Sequence, residues 1–166
     1  GLLVRVFRPH DEAIWIRPAA GFEPMTRAHP QGIFEWRGDV APDMPYRLRI
    51  ETHARQSMYE TYDSYAFSRQ ISDHDVYLFN EGRLWQSYRM LGAQQVRNSG
   101  IEGVRFAVWA PNAERVSIIG DFNRWDGRMH PMAVHHASGV WELFIPELPP
   151  NSLYKFEIRN RHSGEI

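Results

Sequence analysis

Val6-Phe7-Arg8-Pro9-His10-Asp11-Glu12-Ala13-Ile14-Trp15-Ile16 and Val108-Trp109-Ala110-Pro111-Asn112-Ala113-Glu114-Arg115-Val116-Ser117-Ile118 follow one pattern, 102 residues apart. Each leaves an alternating apolar segment, turns at a proline and enters another segment of period two. Outward from this pair the match continues: Gly32-Ile33-Phe34-Glu35 lies over Gly139-Val140-Trp141-Glu142 at an offset of 107, and Tyr46-Arg47-Leu48-Arg49-Ile50 over Tyr154-Lys155-Phe156-Glu157-Ile158 at 108. The offset changes only between matched segments, so the two copies differ in loop length. Strands are predicted at Leu2 to Val6, Ala13 to Arg17, Ile33 to Arg37 and Tyr46 to Glu51. After Gly100 they recur at Val104 to Val108, Arg115 to Ile119, Trp141 to Ile145 and Leu153 to Ile158. The fold class expected is all-β: two tandem immunoglobulin-like β-sandwiches joined by a short helical connector.

The connector is the one stretch with a different period. Leu84, Tyr88 and Leu91 fall at i, i+4 and i+7, and Gly92 stands where a left-handed helix stop belongs, which predicts a single short helix from Arg83 to Leu91. The domain organisation expected is therefore an N-terminal sandwich over 1–70, a connector over 71–97 and a second sandwich over 98–166. The first copy runs on past Ile50 through Tyr62-Asp63-Ser64-Tyr65-Ala66-Phe67, whereas the second stops at Ile166. A second sandwich truncated at its C-terminal end, within a longer protein, is the expectation that follows.

Composition narrows the function classes. Across 166 residues, 19 Lys plus Arg face 20 Asp plus Glu, a net charge of −1 that leaves no surplus to bind a phosphate backbone or an anionic membrane. Nucleic acid and membrane are not expected as partners. The absence of cysteine removes disulfides, thiol nucleophiles and thiolate zinc sites. Apolar runs are too short for a membrane span or a signal-peptide core, and a cytoplasmic location is expected. His130 and the His135-His136 pair have no acidic or thiol partner at ligand spacing, and adjacent residues on an extended segment face opposite ways. No metal and no cofactor are expected.

The most informative stretch for chemistry is Gly120-Asp121-Phe122-Asn123-Arg124-Trp125-Asp126-Gly127, a turn that follows a strand and presents an indole. Asp121, Asn123 and Asp126 can cap their own backbone, and Gly127 is read as the source of a positive φ. An indole among amide, carboxylate and cationic groups suits a sugar ring, which offers C–H groups on its face and hydroxyls at its rim. Trp125, Asn123 and Lys155 are the candidate carbohydrate-binding residues. Two alternatives stay open: Trp125 plugs the end of the sandwich, and Lys155 is an ordinary solvated strand lysine. Trp141, Trp109, Trp36, Phe34 and Trp15 read as core or packing aromatics. Asp121 and Asp126 are explained by turn capping, and no catalytic pair of carboxyls is assigned.

Gly103-Val104-Arg105-Phe106-Ala107-Val108-Trp109-Ala110-Pro111-Asn112-Ala113, Gly120-Asp121-Phe122-Asn123-Arg124-Trp125, Gly139-Val140-Trp141-Glu142-Leu143-Phe144-Ile145-Pro146 and Leu153-Tyr154-Lys155-Phe156-Glu157 together resemble the family-48 carbohydrate-binding module of bacterial glycogen branching enzymes. The stretch from Tyr65 to Ala93 is similar to the connector those enzymes carry ahead of that module. The resemblance implies a non-catalytic, glucan-binding and scaffold region of a 1,4-α-glucan branching enzyme. Its partners would be α-1,4-glucan or glycogen and a downstream catalytic barrel of the same polypeptide. It implies glucan contacts at Trp125 and Lys155; a second stacking aromatic found in some relatives has no counterpart before Ile166. A free-standing glycogen-binding or regulatory module, and purely structural packing domains, are the alternative functions.

Overall fold

The computed structural model describes residues 1–52, 57–136 and 138–166. Thirteen strands are described in it: β1 (Leu2–Phe7), β2 (Asp11–Arg17), β3 (Glu23–Pro24), β4 (Thr26–His29), β5 (Ile33–Gly38), β6 (Arg47–Thr52), β7 (Ser57–Tyr62), β8 (Gly92–Asn98), β9 (Ile101–Trp109), β10 (Ala113–Gly120), β11 (Ala133–His135), β12 (Val140–Pro146) and β13 (Tyr154–Asn160). Helices α1 (Asp73–Asn80) and α2 (Ser87–Met90) lie between β7 and β8. The chain divides into two compact units, Gly1–Phe67 and Ser68–Ile166. The described architecture is all-β and antiparallel, as the alternation predicts.

In the first unit, sheet β1-β5-β4 faces sheet β3-β2-β6-β7. Between them Val6, Ile14, Ile16, Phe34, Trp36, Leu48 and Ile50 form the core. In the second, β8-β9-β12-β11 faces the pair β10-β13, with Phe106, Val116, Ile118, Trp141, Leu143 and Ile145 enclosed. The duplication extends to backbone bonds. Arg8 N donates to Gly32 O at 2.7 Å, and at the matching positions Ala110 N donates to Gly139 O at 2.9 Å. Both glycines have positive φ, +99° and +72°, and a Cβ on either would collide with the corner proline, Pro9 or Pro111. Glycine is required there for conformation and for room. Likewise Met25 N donates to Ile14 O, and Met132 N to Val116 O, both at 2.8 Å.

Two features depart from the expectation. The helix predicted over Arg83 to Leu91 is replaced by a turn at Trp85 and Gln86 and the single helical turn of α2, while the longer helix α1 lies upstream. Ser72 starts α1: its Oγ accepts from Asp75 N at 3.1 Å, and Asp73 and Asp75 occupy the positive first turn. Gly92, at φ +84°, both ends the helical segment and begins β8, an edge strand paired with β9. Trp109 is the other departure, 55 % exposed, with Nε1 donating to Ser138 O at 3.0 Å and its ring edge-on to Phe79.

The helical layer covers the outer face of β9 and β12, where Ile71, Val76 and Met90 bury Ala107 and Val140. A carboxylate fastens it. Glu142, 3 % exposed, accepts through Oε1 from Gln70 N at 2.7 Å and Ile71 N at 3.2 Å, while Oε2 pairs with His135 Nε2 at 2.8 Å. A charge amid an apolar strand is tolerable only when both oxygens are satisfied in this way. Glu142→Ala should cost about 2–4 kcal/mol of unfolding free energy in urea titration, because two backbone N–H groups and an imidazole lose their acceptor; a loss below about 0.5 kcal/mol would show the fastening to be idle.

In the first unit Tyr46 Oη donates to Asp63 Oδ2 at 2.5 Å in a buried setting. Burial, and then the Asp63 charge, push the Tyr46 hydroxyl far above the usual tyrosine range. The unfolded chain loses this proton near pH 10 and the folded chain keeps it, so stability falls as pH rises through about 10. Urea midpoints should decline across that interval, and Tyr46→Phe should flatten the decline.

Candidate functional site

The turn between β10 and β11 is built around Asn123. Its Oδ1 accepts from Gly120 N at 2.9 Å; its Nδ2 lies 2.8 Å from Ile118 O and 2.9 Å from His130 Nδ1. The residue is 1 % exposed, so Asn123 does not face a ligand as expected. Its amide is fully used in tying the turn to β10, which makes it the residue that positions the others.

With its ends fixed, the chain between them takes a tight course. Arg124 and Trp125 both adopt left-handed backbone, φ +56° and +59°, a conformation that costs a non-glycine residue about 1–2 kcal/mol. Strain of this kind persists where the surroundings over-determine it, and here Trp125 N donates to Gly120 O at 3.0 Å and Asp126 N to Asn123 O at 3.1 Å. The positive φ expected of Gly127 thus belongs to Arg124 and Trp125. Gly127 instead gives room to the Glu157 carboxylate, which Arg115 holds at 3.0 Å and which a Cβ there would displace.

The result is an indole set partly outside. Trp125 is 41 % exposed, and its Nε1 donates to Asp121 Oδ1 at 3.1 Å, which fixes one ring edge. The plug alternative does not hold for a ring this open. Asp126 is bound bidentately by Arg128, with Nε to Oδ1 at 2.9 Å and the terminal nitrogen to Oδ2 at 2.7 Å. On β13, Phe156 packs against the core, and Tyr154, itself 36 % exposed, lies edge-on to Phe106 at 4.8 Å. Lys155 and Glu157 therefore face outward, and Lys155 is exposed on the face that the turn meets through Gly127 and Glu157. Trp125 and Lys155 are thus both exposed in the second unit, and Asn123 lies in its interior. What this surface can do is stack a ring and offer hydroxyl partners; both aspartates of the turn are engaged in holding it.

Residues 90–166 match the family described as Carbohydrate-binding module 48 (Isoamylase N-terminal domain). The chain is 61 % identical to 1,4-alpha-glucan branching enzyme GlgB of Nitrosospira multiformis, across 99 % of this chain. Identity is 60 % and 58 % to the enzymes of the same name from Nitrosomonas europaea and Nitrosomonas eutropha, each across 100 % of this chain. The chain spans 22 % of the length of these curated relatives and belongs with their N-terminal portions. Among solved structures, a pullulanase from Anoxybacillus sp. LM18-11 complexed with maltotetraose aligns with 95 % of this chain and 21 % of its own, at 15 % identity and a TM-score of 0.36.

Two substitutions test the construction of the turn. Arg124→Gly should raise stability by about 1 kcal/mol, since glycine tolerates φ +56°. Asn123→Ala should lower it by about 2–3 kcal/mol, because Gly120 N and Ile118 O lose buried partners. Denaturant unfolding of both variants checks the pair; equal and small effects would mean that the amide does not hold the turn.

Proposed function

We propose that the second unit holds an α-1,4-glucan chain, with the Trp125 indole as the stacking platform and the Lys155 ammonium as a hydroxyl donor beside it. The observation that carries this reading is the partly exposed indole kept in strained backbone by a buried amide. A ring needed only for packing would bury more and strain less. The first module, 1–70, serves as scaffold, and the helical segment within 71–97 leads into the glucan-holding module that ends this chain.

The whole protein, in this proposal, is a cytoplasmic 1,4-α-glucan branching enzyme. It cleaves an α-1,4 linkage and transfers the released chain to a 6-hydroxyl, forming α-1,6 branches in glycogen. Its catalytic residues would lie in a barrel elsewhere in the polypeptide, consistent with a chain in which the site's carboxylates are occupied in shaping a turn. Holding one part of a long glucan raises the effective concentration of the rest at that barrel.

Maltoheptaose titration of the 166-residue chain, followed by tryptophan fluorescence, should saturate. Trp125→Ala should weaken that binding by roughly 10-fold or more, while unfolding free energy stays within about 0.5 kcal/mol, as for a surface residue. Unchanged affinity in a folded Trp125→Ala protein would overturn the assignment of the ring.

A further inference from the structure

The strand β13 is a copy of β6, but it is not covered like one. β6 lies between β2 and β7, and Tyr46, Leu48 and Ile50, along it and at its entry, are sealed at 7 %, 0 % and 0 % exposure. At the 108-residue offset their counterparts are Tyr154, Phe156 and Ile158, of which Tyr154 and Ile158 are 36 % and 37 % exposed. The inner edge is the same in both units. β13 pairs with β10 as β6 pairs with β2, down to a bulge between Asp11 and Ala13 in one and between Ala113 and Arg115 in the other. What differs is the outer edge, where β6 has β7 and, among the described residues, β13 has no strand.

The reversal that leads back along this edge is already built. Asn160 Oδ1 accepts from His162 N at 2.8 Å, Gly164 turns the chain at φ +70°, and Asn160 N donates to Glu165 O at 2.9 Å. Glu165 therefore stands across from Asn160 as Ser57 stands across from Thr52, with four residues between the partners in each copy. Ile166 then falls at the position of Met58. An open ladder beside a half-exposed apolar stripe calls for cover, and the first unit shows its chemistry. Past β7, Asp63 accepts from Tyr46 Oη and caps a 3₁₀ turn at Ser64–Ala66, which lays Ala66 and Phe67 on the core.

We propose that the polypeptide continuing past Ile166 runs antiparallel along β13 and closes the second sandwich as β7 closes the first. In the register of β6 and β7, the first four residues past Ile166 lie across from Ile158, Glu157, Phe156 and Lys155, and the fifth takes the position of Asp63. That fifth residue is an acid whose carboxylate accepts from Tyr154 Oη. A small residue and an aromatic follow it by three and four places, as Ala66 and Phe67 follow Asp63. The curated relatives have room for such a segment, since this chain spans 22 % of their length. The inference rests on the reading above only for a longer polypeptide, and no sugar enters its test.

Extending the chain by its next nine residues, the counterpart of the segment that ends at Phe67, tests it. Hydrogen exchange at the β13 amides that point away from β10 should slow by roughly 100-fold or more on extension. In the extended chain, alanine at the fifth added position and Tyr154→Phe should each lower the urea midpoint by roughly 0.5 M. The double variant should lower it no further, because both changes remove one hydrogen bond. In the 166-residue chain Tyr154→Phe should leave the midpoint where it is. Exchange unchanged by extension overturns the strand, and a fifth residue without an acceptor, or additive effects of the two changes, overturns its contact with Tyr154. The strand is equally overturned if the edge becomes protected in the 166-residue chain as protein concentration rises and stays so on extension, which would assign it to a second copy of the chain.

Discussion

One backbone contact sets the geometry of both units: the glycine that opens a central strand lends its carbonyl to the amide just before a corner proline. Gly32 O takes Arg8 N, and Gly139 O takes Ala110 N. This contact lies where the chain leaves one sheet for the other, so it fixes where β2 and β10 start relative to β5 and β12. The proline, lacking an N–H, ends the first strand, and the glycine, lacking a Cβ, lets the two backbones meet. Everything that hangs from β10, including the turn that carries Trp125, inherits its position from that corner.

The two copies diverge in what covers them, and one glutamate shows it. Glu35 and Glu142 occupy the same repeat position on the same sheet face. In the first unit that face is open: Glu35 pairs with Arg5 at 2.6 Å, and this hydrogen bond above all holds its carboxyl below the usual carboxylate range. A pair so exposed contributes little to stability. In the second unit the helical layer lies over the same face, and Glu142 becomes a buried acceptor for the strap at Gln70 and Ile71. Burial changes a solvated ion pair into an anchor whose removal leaves three donors dry.

Strands were legible because period two survives in both copies and the copies check one another. The helices were less so. Val76, Tyr77, Leu78 and Phe79 are consecutive apolar residues, a run that hides the amphipathic period of α1, while Leu84, Tyr88 and Leu91 mimic that period across what is a turn and a single helical turn. A usable signal was present in Ser72 and Asp75, an N-cap pair at the right spacing. At the site, the polar neighbours of Trp125 left display and plugging both open, and only the exposure of the ring separates them. The burial of Asn123 did not, since an asparagine in a turn can face either way and only the positions of Ile118 O, Gly120 N and His130 decide it. Gly127 was misread for a related reason: conformational freedom and close approach leave the same residue in a sequence.

The duplication itself explains why the candidate site belongs to the second unit. Trp15 pairs with Pro24, and Ser117 bridges to Pro131; the first members are 102 apart and the second 107. The loop between them is therefore five residues longer in the second copy, and those extra residues fall within the turn from Asp121 to Met129. In the first unit the shorter loop keeps its aromatic close, with Arg49 stacked over Phe22 at 3.9 Å. The residue matching Arg49 is Glu157, which instead receives Gly127. A five-residue insertion over an unchanged strand register is thermodynamically cheap, because loop closure entropy grows only slowly with length. What it adds is room for a buried amide to hold two left-handed residues and turn an indole toward solvent, so the sandwich supplies the frame and the insertion supplies the site.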